Sequence, residues 1–299
     1  MIEALQWLAI AALAIGVVIL VRETRRLARL RREMARRLVR VERAWLEERR
    51  RAVLDDVRRC LRATGREPRA ELVCRAQGLE DCYLWQLFRP LTSGRFIEAG
   101  ASDGVRNSVT WLFEAVGWTG VLVEANPDAA AACARNRPAS HTVHAALGPP
   151  GAGTTTSLVR LGGFTDADHL SFVPTLARHR SEHVGRARTA ERIEVPLRTM
   201  TSILADAPGE PRYDVAVIDL EGAELAALRG FDLERFPTAV LMVEDLSGGR
   251  DPEVAQLLER QGYVCVGRVE RNAVYVHRTR PDLIERSREL GWWPEDDDG

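Results

Sequence analysis

The chain has 299 residues, a formal net charge of −1 and 42 basic residues, all of them arginine. This length allows an α/β core of roughly 200 residues with a remainder for other segments. The five cysteines are scattered, odd in number and without a CxxC pair, which indicates reduced thiols and argues against a disulfide framework or a cysteine-based zinc site.

Residues 4–21 form an uncharged apolar run that, as a helix, would span about 27 Å, enough for a bilayer core. The run has no basic start and no small-residue cleavage site, so the sequence predicts an uncleaved transmembrane anchor at 1–22 and disfavours a signal peptide or a buried helix. The arginines that follow directly predict a single-pass membrane protein whose downstream domain is cytoplasmic. They are Arg22, Arg25, Arg26, Arg29, Arg31 and Arg32.

An arginine-rich helical stalk is predicted at residues 23–66, because apolar residues recur there at steps of three and four. They are Leu27, Leu30, Met34, Leu38, Val41 and Trp45. Three interpretations remain open: a coiled coil that makes a homodimer, a basic helix on anionic lipid, or a charged helix packed on the domain. We predict no nucleic-acid partner, because the globular part has no basic face interleaved with aromatic residues.

The stretch FIEAGASDGVRNSVTWLFEAVGWTGVLVEANP, residues 96–127, predicts a strand, a glycine-rich turn, a helix at 108–116, a second strand and a closing acid, Glu124. This order is typical of the half-site that holds the sugar end of an adenosine. Gly100 and Gly104 would let the backbone approach a ligand closely, and the Glu124 carboxylate would accept from both ribose hydroxyls. The alternative is an ordinary βαβ unit whose turn is glycine-rich.

Further short apolar runs predict strands at 141–147, 214–218, 239–243, 263–266 and 273–276, with helices at 127–135, 222–229 and 252–261 between most of them. The alternation predicts an α/β fold, a mostly parallel, Rossmann-like sheet with helices on both faces. The last two strands predict a terminal antiparallel pair, which is typical of adenosylmethionine-dependent methyltransferases.

The segment 148–195 does not fit this alternation, and we interpret its middle, 149–190, as a lid or substrate insertion, or else as disordered. His179 and His183 lie four residues apart, but no third ligand accompanies them and arginines surround them. We therefore predict no metal ion, although the carboxylates Asp219, Glu221 and Glu244 could hold a divalent cation, which the sequence does not require.

A second chemical segment, DVAVIDLEGAELAALRG, spans residues 214–230. It would deliver Asp219 and Glu221 to the same sheet edge as Glu124, since ligands bind outside the carboxyl ends of parallel strands. Glu224 is better placed to charge the start of the next helix. Glu244 closes the fifth strand on the same edge.

From Ala76 to His277 the chain resembles the FkbM-type methyltransferase family. The resemblance is carried by QGLEDCYLWQLF, FIEAGASDGVRNS, GWTGVLVEANP, the AALG that follows strand three, RTMTSIL, DVAVIDLEGAELAALRG and GYVCVGRVERNAVYV. It implies a class I methyltransferase domain at 70–280, S-adenosylmethionine as methyl donor and O-methylation of sugar or natural-product hydroxyls. It places Asp219 and Glu221 at the methyl-transfer face, and around the donor it places Glu98, Gly100, Ser102, Asp103, Gly104, Glu124, Asn126 and Ala146.

An alcohol acceptor needs a base, and the candidates are Asp219 or Glu221, with His169 a less favoured third. A membrane location suggests a lipid-linked saccharide, or another small molecule made at the inner leaflet, as acceptor. Two other function classes remain: a non-catalytic membrane scaffold, and an NAD(P)-dependent oxidoreductase, which the missing lysine disfavours. Residues 281–299 are interpreted as a C-terminal tail.

Overall fold

The computed structural model describes residues 2–162, 171–176 and 189–291, with side chains described from Thr24 onward except at positions 25 and 29. The chain divides into two compact units, residues 1–49 and 50–299. The helices are α1 (Ile2–Thr64), α2 (Glu80–Phe88), α3 (Trp111–Val116), α4 (Pro127–Asn136), α5 (Met200–Asp206), α6 (Glu224–Arg229), α7 (Glu253–Arg260) and α8 (Pro281–Leu290). The strands are β1 (Arg95–Ala99), β2 (Thr119–Glu124), β3 (His141–His144), β4 (Ala146–Leu147), β5 (Thr155–Gly162), β6 (Ser171–Phe172), β7 (Thr189–Arg198), β8 (Tyr213–Ile218), β9 (Thr238–Glu244), β10 (Tyr263–Val269) and β11 (Asn272–His277).

The first unit is helical, and its predicted apolar stripe is exposed to solvent. Seven large apolar side chains there are between 44% and 68% exposed: Leu27, Leu30, Met34, Leu38, Val39, Val41 and Trp45. Among the described residues, no helix is long and apolar enough to cross a membrane. The anchor predicted at 1–22 falls on side chains outside that described part, so it stays a prediction.

The main sheet has seven strands in the order β10-β11-β9-β8-β1-β2-β3. The neighbouring pairs β3–β2, β2–β1, β1–β8 and β8–β9 are parallel, while β11 pairs antiparallel with both β9 and β10. A row of buried side chains crosses its centre, with Ile97 opposite Val121 on one side and Ala216 on the other, and Ala216 opposite Leu241. These near-continuous apolar runs reflect burial on both faces. The predicted mostly parallel sheet with a terminal antiparallel pair is confirmed.

A second sheet, in the order β4-β7-β5-β6, occupies the segment that the sequence left without regular structure. β5 and β7 pair antiparallel along eight positions, and Leu158 and Val195 are buried in one apolar cluster. Threonine, serine and charged residues on the exposed positions hid this alternation. The strand predicted at 141–147 is divided at Ala145, so that β3 lies in the main sheet and β4 in the second one. His169, His179 and His183 lie outside the described residues.

Both ends of the second unit differ from the sequence-based boundaries. The last turns of α1, predicted as stalk, bury Val53, Val57 and Leu61 within this unit. At the other end, α8 covers the first half of the predicted tail, and the Tyr83 hydroxyl in α2 lies 2.7 Å from the Ser287 hydroxyl in α8. Residues 281–290 are therefore part of the folded unit, whereas 292–299 lie outside the described residues.

Candidate active site

The turn after β1 is held in a conformation that glycine favours. Gly100 and Gly104 have φ values of +86° and +76°, and Ser102 also lies in the left-handed region at +49°. The Gly100 amide donates to the Val123 carbonyl at 2.9 Å. A Cβ on Gly100 would lie 1.8 Å from the Asp219 carbonyl oxygen, so only glycine fits where the turn passes the end of β8.

Glu124, at the end of β2, is held beside this turn. One of its carboxylate oxygens accepts from the Ser102 amide at 2.7 Å, and the other accepts from the Asn126 amide at 2.8 Å. Burial raises the pKa of the carboxyl, while these backbone amides act in the opposite direction and the charge of Asp219 adds to the rise. A carboxylate can accept about four hydrogen bonds, so Glu124 retains capacity for ribose hydroxyls, and that contact stays a prediction.

Asn126 and Asp103 shape the backbone around Glu124. The Asn126 side chain caps α4 by accepting from the Asp128 amide at 3.1 Å. The Asp103 carboxylate accepts from the amides of Val105 and Arg106 at 2.9 and 2.7 Å, which closes the turn on itself. The structure thus gives both residues a shaping role, and their direct contact with a donor stays a prediction.

Glu98, which the sequence grouped with the donor-binding residues, faces the interior. Its carboxylate accepts from the Ser108 hydroxyl at 2.8 Å, the Val109 amide at 2.8 Å and the Thr110 hydroxyl at 2.6 Å. Only 4% of Glu98 is exposed. We infer that it positions the segment 108–110 behind the turn.

Arg137, which the sequence analysis missed, completes this buried network. It is fully buried, its Nε lies 3.1 Å from a Glu114 carboxylate oxygen, and one terminal nitrogen lies 3.8 Å from Glu98. The same guanidinium donates to the Gly104 carbonyl and the Ser108 hydroxyl, both at 3.0 Å. It therefore ties the far end of the glycine turn to two buried acids. Its place at the end of α4, just before a proline, gives no sequence signal of this role.

Ala146 lies elsewhere in the structure. It is buried in β4, in an apolar cluster with Leu158, Val173, Val195 and Leu197, and Ala125 packs against that cluster. Its side chain contributes packing beneath the second sheet, and a role in donor binding stays a prediction.

Three carboxylates meet at the ends of β8 and β9. Asp219, Glu224 and Glu244 each present an oxygen within 4.8 Å of the others, and Asp219 is exposed as a residue while its carboxyl lies among neighbouring groups that exclude water. Their meeting follows from the register, since Ile218 pairs with Val243 immediately before the two acids. One Glu224 oxygen also accepts from the amides of Leu220 and Gly222 at 2.9 Å each, so Glu224 holds the turn before α6.

Crowding raises the pKa of each acid in this cluster. For Glu244 the first cause is burial, followed by the charges of Asp219, Glu221 and Glu224. For Asp219 burial again comes first, with Glu98 adding to the rise and Arg271 opposing it. Burial raises the pKa of Glu224 to about 7. The cluster therefore retains protons at neutral pH that isolated carboxylates would have lost.

Glu221, the second predicted catalytic acid, follows in the turn after β8. Its backbone is in the left-handed region, with φ of +53°, and it is half-buried. The charge of Glu221 helps to raise the pKa of Glu244, after burial and the charge of Asp219. The structure therefore brings Asp219, Glu221 and Glu124 to one sheet edge, as the sequence predicted.

A pocket opens beside the acidic cluster. It combines carboxylates with an apolar wall and one phenol, and its lining is Gly222, Glu224, Leu225, Val243, Glu244, Asp245, Leu246, Asp251, Val254, Ala273 and Tyr275. Asp245 is neutralised by Arg268, whose terminal nitrogen lies 2.6 Å from it. Three close carboxylates are also a set of oxygen ligands that suits a divalent cation. The expectation of no metal ion therefore stays a prediction.

Comparison with known proteins gives the family. The model of the methyltransferase FkbM domain matches residues 98–265, which is more than half of the chain. A search of curated proteins found no match.

Solved structures resemble the chain only weakly. A TehB-like SAM-dependent methyltransferase from Corynebacterium glutamicum is 12% identical with a TM-score of 0.36, covering 74% of this chain and 94% of its own. A SAM-dependent methyltransferase from Aquifex aeolicus is 11% identical with a TM-score of 0.33, covering 66% and 88%. The ribosomal protein L11 methylase from Lactobacillus delbrueckii subsp. bulgaricus is 12% identical with a TM-score of 0.33, covering 64% and 74%. At these scores the assignment depends on the family match.

The position of Glu124 at the end of β2 and the tight glycine turn beside it fit an adenosyl group. Together with the family match, these features identify the chain as a member of the FkbM methyltransferase family, with S-adenosylmethionine as its methyl donor.

Proposed function

We propose that this methyltransferase is an O-methyltransferase, which methylates a hydroxyl of a sugar, glycolipid or natural-product acceptor, and that Asp219 is its general base. The observation that carries the proposal is the position of Asp219, which lies at the strand end that packs directly on the glycine turn. S-adenosylmethionine supplies a methyl carbon already activated by its sulfonium, so the protein has to align the acceptor and remove its proton.

Asp219 is a better candidate base than Glu221 because its backbone is fixed. The Asp219 amide donates to the Ala99 carbonyl at 3.0 Å, which holds the residue against β1. Burial raises the pKa of Asp219, and a raised pKa makes its carboxylate a stronger proton acceptor. The hydrogen bond between the two acids acts to lower the pKa of Asp219 and to raise that of Glu244, so Glu244 is the partner that holds the proton of this bond.

The pocket lining supports a polyhydroxyl acceptor with an apolar portion. Glu224 and Glu244 offer acceptors for hydroxyl groups, while Leu225, Leu246 and Val254 offer an apolar wall. Carboxylates that accept from neighbouring hydroxyls are a common way to orient a sugar, and an apolar wall suits an aglycone or a lipid chain.

The test uses methyl-labelled donor, a membrane extract as the source of acceptor, and identification of the labelled product. We expect Asp219→Asn to lower turnover by about 10²–10⁴-fold, the usual contribution of a general base. Donor affinity, measured by calorimetry, should stay within a few-fold of wild type. Glu221→Gln is the matched comparison and should retain more activity. Unchanged turnover in Asp219→Asn would refute the assignment, and donor binding by a wild-type chain that labels nothing would favour the scaffold alternative.

We also propose that residues 1–22 anchor the enzyme, with the catalytic unit on the cytoplasmic side. The uncharged run 4–21 and the arginines that follow it support this. The measurement is membrane fractionation of the full chain against a chain that lacks residues 1–22, with alkaline extraction. Release of the full chain by alkali would refute the anchor.

We propose a second copy of the chain as the partner of the exposed stripe. Two series of exposed apolar residues recur here every seven positions: Leu27, Met34 and Val41 in one, and Leu38 and Trp45 in the other. Together they form the seam of a short coiled coil. In a parallel pair, the charges flanking this seam place Arg37 of one chain opposite Glu42 of the other. Sedimentation of the detergent-solubilised chain should give a dimer that Leu38→Arg dissociates. A monomeric wild type would refute pairing, and binding of that monomer to anionic vesicles would favour the lipid alternative.

A further inference from the structure

Two buried cysteine thiols face each other just before the catalytic sheet begins. The Cys82 sulfur, in the first turn of α2, lies 3.5 Å from the Cys74 sulfur, in the segment that precedes this helix. Cys82 is fully buried and Cys74 is 7% exposed. A disulfide bond is about 2.05 Å long, so the two sulfur atoms need to approach by only about 1.5 Å to form one.

One carboxylate fixes the backbone on both sides of this pair. Asp81 accepts from the amides of Arg75 and Ala76 at 2.7 and 3.1 Å through one oxygen, and from the Cys82 amide at 2.8 Å through the other. The two chain segments that carry the thiols are thereby held at a constant separation. The thiols are a prearranged pair, since their approach does not depend on motion of a loop.

The same contacts favour a disulfide over a metal site. Asp81, Cys74 and Cys82 do present atoms within 4.8 Å of one another. However, Asp81 already accepts three backbone hydrogen bonds, and ligation would compete with them. Two thiolates without a further free ligand fall short of the four that a structural zinc site requires.

We propose that Cys74 and Cys82 are a reversible dithiol–disulfide site, oxidised by disulfides of low molecular mass such as oxidised glutathione. In the first step the Cys74 thiolate attacks the oxidant, which forms a mixed disulfide and releases one reduced thiol. In the second step the Cys82 sulfur loses its proton and attacks the Cys74 sulfur, which releases the second reduced thiol. Two protein thiols are oxidised and one oxidant disulfide is reduced to two thiols, so electrons and atoms balance.

Burial makes this oxidation slow but does not prevent it. Burial and the hydrogen bond to Cys74 both raise the pKa of Cys82, so its thiolate is scarce at neutral pH. The rate should therefore rise with pH and lag behind that of the exposed Cys265. In a reducing compartment the pair stays in the dithiol form, as the sequence predicts for all five cysteines.

The bond would tie the segment before α2 to the helix itself. Ala76, between the two cysteines, pairs with Asn107 in the segment that follows the glycine turn. The Arg50 guanidinium also donates to the Ala76 and Gly78 carbonyls at 2.8 Å each. Oxidation should restrict the unfolded chain without disturbing these contacts, and so raise the midpoint of thermal unfolding.

The test is a peptide map of the full chain after one day with oxidised glutathione at pH 8, followed by alkylation and trypsin digestion without reductant. Cleavage at Arg75 separates the two cysteines, so their peptides remain together only through a disulfide. We expect the linked pair in most wild-type molecules, a raised unfolding midpoint, and reversal of both by dithiothreitol. Cys265→Ser is the control and should behave like wild type.

Cys82→Ser and Cys74→Ser should each abolish the linked peptide and the rise in midpoint, and the wild-type map stands even if one variant fails to fold. Free thiols at Cys74 and Cys82 after full modification of Cys265 would overturn the proposal. Glutathione adducts without a linked pair would overturn it too. The measurement needs neither donor nor acceptor, so it is independent of the proposed methyl transfer.

Discussion

Gly100→Ala should destabilise the protein and weaken donor binding, because two separate costs meet at this residue. The first is conformational, since φ of +86° is a region that an alanine enters at a cost of about 1–2 kcal/mol. The second is steric, since the new Cβ would lie 1.8 Å from the Asp219 carbonyl oxygen. Real atoms do not approach so closely, and the turn or the end of β8 has to move.

The steric cost can be estimated from the strands involved. β1 and β8 are adjacent central strands, joined here by the hydrogen bond from the Asp219 amide to the Ala99 carbonyl. Forcing such a packed contact apart costs about 1–3 kcal/mol. The sum is about 2–5 kcal/mol, which at roughly 2–4 °C per kcal/mol lowers the unfolding midpoint by about 4–20 °C.

Gly151→Ala separates the two costs. Gly151 has nearly the same conformation, with φ of +80°, but an added Cβ would meet no atom within 4 Å. This variant should show only the conformational cost of about 1–2 kcal/mol. The two variants are compared by thermal and urea unfolding of the purified chain.

Donor affinity is the second measurement on the same variants. Displacing Gly100 moves the Ser102 amide away from Glu124, so Gly100→Ala should bind S-adenosylmethionine at least about tenfold more weakly, equivalent to about 1.4 kcal/mol. Gly151→Ala should bind it normally. Equal destabilisation of both variants, or normal donor affinity in Gly100→Ala, would refute the idea that this contact holds the turn.

Three further predictions concern buried charges. Arg137→Met leaves two buried carboxylates without their cation and should lower the free energy of unfolding in urea by about 3–5 kcal/mol. The control Arg135→Met changes an exposed arginine of the same helix and should be within about 0.5 kcal/mol of wild type. Similar losses in both variants would contradict the buried network. Glu124→Gln removes a charged acceptor for two backbone amides and should weaken donor binding by about 10–100-fold in calorimetry; unchanged affinity would exclude Glu124 from the donor site. Burial raises the pKa of Glu80 to about 7 from 4.5, so its contribution to stability is present below pH 4.5 and is lost as pH rises to about 7. Glu80→Gln should therefore flatten the pH dependence of the free energy of unfolding across that window. An unchanged slope would count against this role of Glu80.

The sequence predicted the main sheet because its strands are buried on both faces and read as plain apolar runs. β2 and β9 end in an acid and β8 ends directly before one, while β1 carries its acid, Glu98, one residue before its end, and parallel pairing brings those ends to one edge. The second sheet escaped prediction for the opposite reason. Its strands β5 and β7 have one exposed face, so polar residues interrupt the pattern that marks a buried strand.

The site shows a similar division. The turn at Gly100 and Gly104 could be predicted, but the reason for its glycines could not. The sequence assigned them to close approach of a ligand, whereas a Cβ on Gly100 would meet the Asp219 carbonyl and one on Gly104 would meet Arg137 and Cys133. The grouping of Glu224 with Asp219 and Glu244 could not be predicted either, since it depends on the direction of one side chain at the start of α6. Sequence spacing fixes which strand end a residue occupies, and leaves open what its side chain meets there.

Glu98 and Glu124 show most clearly what decides such cases. Both are glutamates at the end of β-strands that flank the same turn, and both are more than nine-tenths buried. Glu98 faces Arg137 and two hydroxyl groups, so its charge is satisfied inside the protein. Glu124 has backbone amides and no cation within ion-pairing distance in the described part of the chain, so its charge remains available to a ligand. The position of one arginine, 39 residues after Glu98 in the chain, therefore separates an acid paired inside the protein from the acid that we predict to bind the donor.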